Sequence, residues 1–184
     1  MRIAVTGTPG TGKTTAASTV ANRLRQDRLE QDDTQRAPEL SVVHLNELIQ
    51  NEGLTTAHDE TRDSAVVDME AVADWLAGRD AILFESHLAH RFDADRVVVL
   101  RCHPEELTER LGGREKSETS IAENAESEAI ALILSEAVER HGRSQVYEID
   151  TTGRTPEAVA DDIEAAITGE REPSAGEVSF LDYL

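Results

Sequence analysis

A three-layer α/β fold, with a parallel five-stranded sheet flanked by helices, is predicted by three observations. Apolar runs of strand length fall at 3–5, 41–45, 81–84, 97–100 and 146–149 along the 184 residues. Segments of helical periodicity lie between them, and a chain that alternates in this way builds parallel strands through helical crossovers. The third observation is local: the first apolar run leads straight into Gly7-Thr8-Pro9-Gly10-Thr11-Gly12-Lys13-Thr14. That is the spacing of a phosphate-cradling loop in its strand-to-helix setting, which narrows the class to the P-loop NTPase fold.

Taken in chain order, each element has a physical reason. Wrapping a polyphosphate in backbone N–H groups requires residues with little side chain, and Gly7, Gly10 and Gly12 supply them. Pro9, Gly10, Gly12, Lys13, Thr14 and Thr15 are the candidate ATP-binding residues. In this reading Lys13 meets the terminal phosphates, the Thr14 hydroxyl holds the bridging Mg2+, and Thr15 opens a helix whose positive end faces the anion. A dinucleotide-binding fingerprint is set aside, because the loop lacks Gly-x-Gly-x-x-Gly and carries a lysine which that motif does not need. The first helix is expected over 14–27, followed by a polar, solvent-exposed insertion at 28–39.

The third apolar run ends in Glu85, where a P-loop protein places a magnesium-organising carboxylate, so Thr14 and Glu85 are the metal candidates. The bland alternative is a surface acid at a strand end. His87 leaves the same strand end toward the same crevice, where an imidazole can orient a water or a substrate oxygen, against the alternative of a structural histidine; His90 is less well placed. Cys102 is expected at a buried strand end. His103-Pro104-Glu105-Glu106 and Thr155-Pro156-Glu157 each set proline at the first helical position with carboxylates in the positive first turn. One long helix is expected over 118–140 and a covering helix over 156–168. The acidic tail, 169–184, is expected to be loosely held, with Phe180, Leu181, Tyr183 and Leu184 able to dock on the body.

Composition bounds the setting. There are 37 acidic residues against 18 basic, a formal charge of −19, and only Lys13 and Lys116 are lysines. Acids spread along a chain so poor in lysine point to adaptation to molar salt, where the Debye length falls to about 3 Å and self-repulsion is screened. The competing reading is an acidic protein that repels nucleic acid or attracts a basic partner, and the two readings are compatible. A single cysteine excludes an internal disulfide and argues against a structural zinc site. No apolar run approaches a membrane span or signal peptide, so a cytoplasmic protein without membrane contact is expected. No composition shift marks a second domain, and 1–184 is read as one.

The sequence Glu85-Ser86-His87, the run from Val97 to Leu107, and Glu109-Arg110-Leu111 resemble the adenylate kinase isoenzyme 6 family. Arg114, Ile121, Glu123-Asn124, Glu126-Ser127-Glu128 and the run from Glu148 to Glu157 extend the resemblance over most of 1–168. It implies a nucleoside monophosphate kinase-like fold with an acceptor-binding region at about 44–67 and a mobile lid at about 113–123. It also implies adenylate kinase and ATPase activity on ATP, AMP and ADP. A role in small-subunit ribosome maturation through a bound ribosomal protein comes with it, without sequence-specific nucleic acid binding. With the composition, it implies a haloarchaeal source.

The family's Asp-x-His motif falls on Glu85-Ser86-His87, which makes His87 a water-positioning or coupling residue. The extra methylene of Glu85 must fold back or hold the metal through a different water. Arg114 matches the arginine that packs on bound nucleotide. Arg110 lies one turn earlier, and each of the two is either a contact to the transferred phosphoryl group or a surface arginine paired with Glu106, Glu109 or Glu115. The segment Thr151 to Arg154 resembles the one lining adenine. On the acceptor side the one arginine is Arg62, Gln50 stands where the family often has an arginine, and Arg91 is a candidate substitute.

Three functions stay open on the sequence: transfer of the terminal phosphoryl of Mg-ATP to AMP or water, a nucleotide-gated assembly factor for a basic ribosomal protein, and a small-molecule kinase of the shikimate or gluconate type.

Overall fold

The computed structural model describes residues 1–30, 40–59, 64–113 and 117–184. The chain opens with β1 (Arg2–Thr6) and α1 (Lys13–Glu30), followed by β2 (Ser41–His44), α2 (Leu45–Glu52), β3 (Thr55–Asp59), β4 (Ser64–Val67) and α3 (Met69–Leu76). Then come β5 (Ile82–Glu85), a single turn at Ala89–Arg91, β6 (Arg96–Arg101), α4 (Pro104–Gly112), α5 (Glu118–Ala129), α6 (Leu132–His141), β7 (Val146–Asp150) and α7 (Pro156–Thr168).

Five strands form one parallel sheet in the order β2-β5-β1-β6-β7. The order reverses at β1, so the crevice beyond its carboxyl end is the switch point at which such sheets bind ligands. The central strands are apolar on both faces because helices cover both. Ile3, Val5, Leu83, Val98 and Leu100 pack with Ala17, Val20, Val159 and Ile163 of α1 and α7. The alternate residues Ala4, Phe84, Val97 and Val99 pack with Leu45, Val72, Leu76 and Leu134 of α2, α3 and α6. Truncating a core side chain as large as Phe84 to alanine would cost about 3–5 kcal/mol. Cys102 is buried just past the end of β6, in a small cluster with Leu107 and Leu111.

Three features depart from the sequence reading. The expected helix over 118–140 is two helices, broken at Ala131, whose φ of +54° is left-handed. No glycine or proline marks the break. It arises because α5 packs beside α4, with Ile121 against Cys102, Leu107 and Leu111, whereas α6 must turn onto the sheet through Leu134 and Ala137. The 44–67 stretch contains an unforeseen antiparallel hairpin, β3 with β4, separate from the main sheet. The tail expected to be loosely held is pinned instead: Ser174 bridges to Tyr147, and Arg171 donates to the Glu148 carbonyl at 3.1 Å. Phe180 is buried, while Leu181, Tyr183 and Leu184 remain exposed. Helix α1 runs on to Glu30, and the rest of the 28–39 insertion, 31–39, lies outside the described residues. Among the described residues no helix is long and apolar enough to cross a membrane.

Candidate nucleotide site

The loop between β1 and α1 is built by close approach. A Cβ on Gly7 would sit 2.3 Å from the Leu100 carbonyl oxygen, so a side chain there would drive the loop off β6. Gly12 has φ +90° with open space where a Cβ would point, a conformation glycine alone holds cheaply. Helix α1 starts immediately at Lys13, and its first turn carries no acid. The first turns of α2, α3, α4, α5 and α7 all carry glutamate. Helix α6 also lacks an acid there, but α1 is the helix of the two whose first turn continues the glycine loop, which suits its end to an anion.

Lys13 Nζ donates to the carbonyls of Gly7 (2.9 Å) and Thr8 (3.0 Å), which folds the ammonium over the loop. The ends of β2 and β5 stand opposite, with His44 and Glu85 as register partners. The Glu85 carboxylate is 2% exposed; its Oε1 accepts from Thr14 Oγ1 at 3.0 Å and lies 2.9 Å from His44 Nδ1, while its buried Oε2 has no partner. A buried carboxylate oxygen left unpaired is costly unless something else meets it. The longer side chain therefore folds back far enough to reach the Thr14 hydroxyl directly. Sequence reasoning placed His44 at the acceptor boundary and missed its bond to Glu85. The signal available was the parallel pairing of two strands that both end in polar residues.

A cleft of about 630 Å3 opens between the loop, the β5 end, α5 and α6. It is lined by Pro9, Gly10, Gly12, Lys13, Thr14 and Thr15, and also by Glu85, His87 and Arg91. His87 is exposed in the turn after β5. His90, which sequence reasoning ranked below it, is buried, with Nδ1 2.9 Å from Thr6 Oγ1 and Nε2 2.8 Å from Glu136 Oε2. Burial lowers the His90 pKa below its ordinary value despite the Glu136 partner, and the imidazole holds the Glu136 carboxyl below the usual carboxylate value. Arg91, half exposed, pairs with the same Glu136 at 3.0 Å.

Arg110 does not line the cleft. It pairs with Glu106 and donates to the carbonyls of Gly10 (3.3 Å) and Thr151 (3.2 Å), bracing the loop against the segment after β7. That segment turns inward: Thr151 Oγ1 bonds the Arg101 carbonyl, and Arg154 is engaged by Asp150, Ala158 and Asp162. Arg62 and Arg114 lie outside the described residues.

A parallel sheet switching at β1, a glycine loop on a bare helix terminus and an acid at the neighbouring strand end together define a P-loop kinase fold. Solved structures agree on the fold. The shikimate kinase of Bacteroides thetaiotaomicron superposes with a TM-score of 0.55 at 15% identity, covering 91% of this chain and 98% of that one. A gluconokinase from Sinorhizobium meliloti gives 0.52 at 14% identity, covering 92% of each. The chain belongs to the family described as AAA domain, which matches residues 3–131, and within it to a set of archaeal proteins bearing the name "Putative adenylate kinase". The protein of that name from Natronomonas pharaonis is 54% identical over 184 residues, the whole of both chains, and that from Halobacterium salinarum 54% over 185, again the whole of both. The Methanosarcina acetivorans protein is 44% identical over 177 residues, covering 91% of this chain and 86% of that one.

Proposed function

We propose that this chain transfers the terminal phosphoryl group of Mg-ATP to AMP. The observation that carries the reading is the Lys13–Thr14–Glu85 arrangement at an uncompensated helix N-terminus, in a chain whose whole-length relatives bear an adenylate kinase name. Thr14 Oγ1 and Glu85, with its unpaired Oε2, fit a hard cation that keeps most of its waters and takes one carboxylate plus phosphate oxygens. Thr14 and Glu85 would hold Mg2+, which when bound would supply neutralisation of the charge that develops on the phosphates.

The chain's own residues do the rest. The loop amides and α1 cradle the phosphates, and Lys13 exchanges the Gly7 and Thr8 carbonyls for phosphate oxygens. His44 fixes the Glu85 carboxylate through Nδ1. A phosphate oxygen of AMP attacks the γ-phosphorus as the bond to the β–γ bridging oxygen breaks, leaving two ADP. Catalysis of this kind is positioning and charge stabilisation, with little covalent work by the protein. Arg91 at the far wall is the cation suited to the acceptor, and Arg114, outside the described residues, is proposed to meet the donor nucleotide.

A second reading is favoured by the shortage of cations on the acceptor side. Lys13 and Arg91 are the basic side chains, besides the histidines, that line the cleft among the described residues, and Arg91 already pairs with Glu136. With water as acceptor, positioned by His87, turnover would be hydrolysis, and the −19 chain would serve as a nucleotide-gated binder of a basic small-subunit ribosomal protein. Product analysis in molar potassium chloride with Mg-ATP separates them. Two ADP formed for each ATP and AMP consumed supports the kinase. Phosphate release indifferent to AMP overturns it in favour of hydrolysis.

A further inference from the structure

Behind the loop runs a buried polar relay that the transfer step does not use. Arg101, at the end of β6 and 1% exposed, donates Nε to Glu128 Oε1 and Nη1 to Glu148 Oε1, each at 2.6 Å, and Nη2 to the Glu128 carbonyl at 2.9 Å. Glu128, on α5 and 2% exposed, also takes the Cys102 N–H at 3.1 Å, and its other oxygen accepts the Thr8 hydroxyl of the phosphate loop. At the far end Glu148 Oε2 accepts backbone N–H groups from Gly176 and Glu177 at 2.8 Å and Val178 at 3.2 Å. Phe180 lies 5.3 Å from the Arg101 guanidinium and stacks edge-on against His103.

We infer that Arg101 and Glu128 are positioning residues for the phosphate loop, and that tail residues 176–180 close the relay that holds them. Two carboxylates and one guanidinium are inside, so one negative charge is unmatched and must be spread over fixed donors. Three of those donors come from the tail and one is Thr8. An apolar filling would stabilise this position at least as well, so the ionic cluster is suited to fixing geometry. What it fixes is specific: the Thr8 carbonyl accepts from Lys13 Nζ, and α5 presents Ser120, Glu123, Asn124 and Ser127 to the cleft on the turns before Glu128. Losing the tail would therefore release Arg101, then Glu128, then the loop residue that seats Lys13.

The inference rests on the nucleotide reading above, and its test is MgADP affinity by calorimetry on the full chain, with thermal melts as the folding check. Glu128→Gln is expected to weaken MgADP about 10-fold, the size typical of losing an outer partner of a ligand-holding residue. Thr8→Val should match it, Thr8→Ser should restore wild-type affinity, and the Thr8→Val, Glu128→Gln double variant should be no weaker than either alone, as for groups on one path. Phe180→Ala should weaken binding about 3-fold by loosening Arg101, while Leu184→Ala, exposed at the chain end, should leave it unchanged. Lower melting temperatures with unchanged MgADP affinity overturn the relay, as does a double variant whose losses multiply. Thr8→Val and Phe180→Ala leave both ion pairs standing, so they decide the question if Glu128→Gln does not fold. A wild-type chain that binds no MgADP overturns the nucleotide reading as well, whereas wild-type binding with indifferent variants overturns the relay alone.

Discussion

The two walls of the cleft hold charge in opposite ways. On the wall proposed to take the donor, the groups belong to the backbone and to side chains already fixed: the glycine loop, a helix terminus, Lys13 over two carbonyls and Glu85 between Thr14 and His44. On the opposite wall, proposed above to face the acceptor, α2 contributes Asn46 and Arg91 is a half-exposed side chain shared with Glu136. A backbone cradle is preorganised, whereas an exposed ion pair is screened and must be broken before it can serve a ligand. The donor nucleotide should thus be held far more firmly than the acceptor.

The hardest blow to that contrast is Lys13→Ala, which should lower kcat/KM for ATP by about 10²-fold or more; near-normal turnover in a steady-state assay would remove the donor site assigned here. Glu85→Gln comes next. It keeps the shape but gives up the charge and should reduce metal-dependent turnover about 10–100-fold, with partial recovery at high magnesium. Arg91→Ala sharpens the comparison from the other wall. Losing one hydrogen bond to a charged group, about 1.5–3 kcal/mol, should raise KM for AMP roughly tenfold or more while KM for ATP holds. An equal rise in both would mean that the walls are not separate.

The pH response is smaller. His90 and Glu136 both bind protons less readily folded than unfolded, the first through burial and the second through the imidazole beside it, with Arg91 close to both. Stability should accordingly be full above the ordinary histidine value, fall as His90 resists protonation on acidification, and fall again through the carboxylate range as Glu136 is titrated. Chemical denaturation at a series of pH values should show the upper step vanish in His90→Asn. The slightest effect is expected at Cys102, whose burial pushes the thiol up to about 11; a thiol reagent should label the unfolded chain and spare the folded one.

Five strands, their parallel sense and the phosphate loop were legible in the sequence because each is a local signal. Apolar runs have strand length, and a strand followed by Gly7, Gly10, Gly12 and Lys13 has one economical conformation. Glu85 was legible by its place at a strand end. The break at Ala131 was not, since nothing local forbids a helix there and the turn is imposed by what α5 and α6 pack against. Arg110 was open between two roles, and only the fold brought the carbonyls of Gly10 and Thr151 to it.

By itself, then, the sequence determined the class of fold, the glycine loop before α1 and the acidic character of the chain. Those follow from periodicity, from what glycine alone can do, and from charge count. Tertiary structure decided the rest: His44 against Glu85, His90 between Thr6 and Glu136, and a tail tied through Arg101 to the loop. The partners in these cases lie 27 to 120 residues apart along the chain, and no spacing rule reaches across a crossover; only packing the layers brings such groups within hydrogen-bond distance.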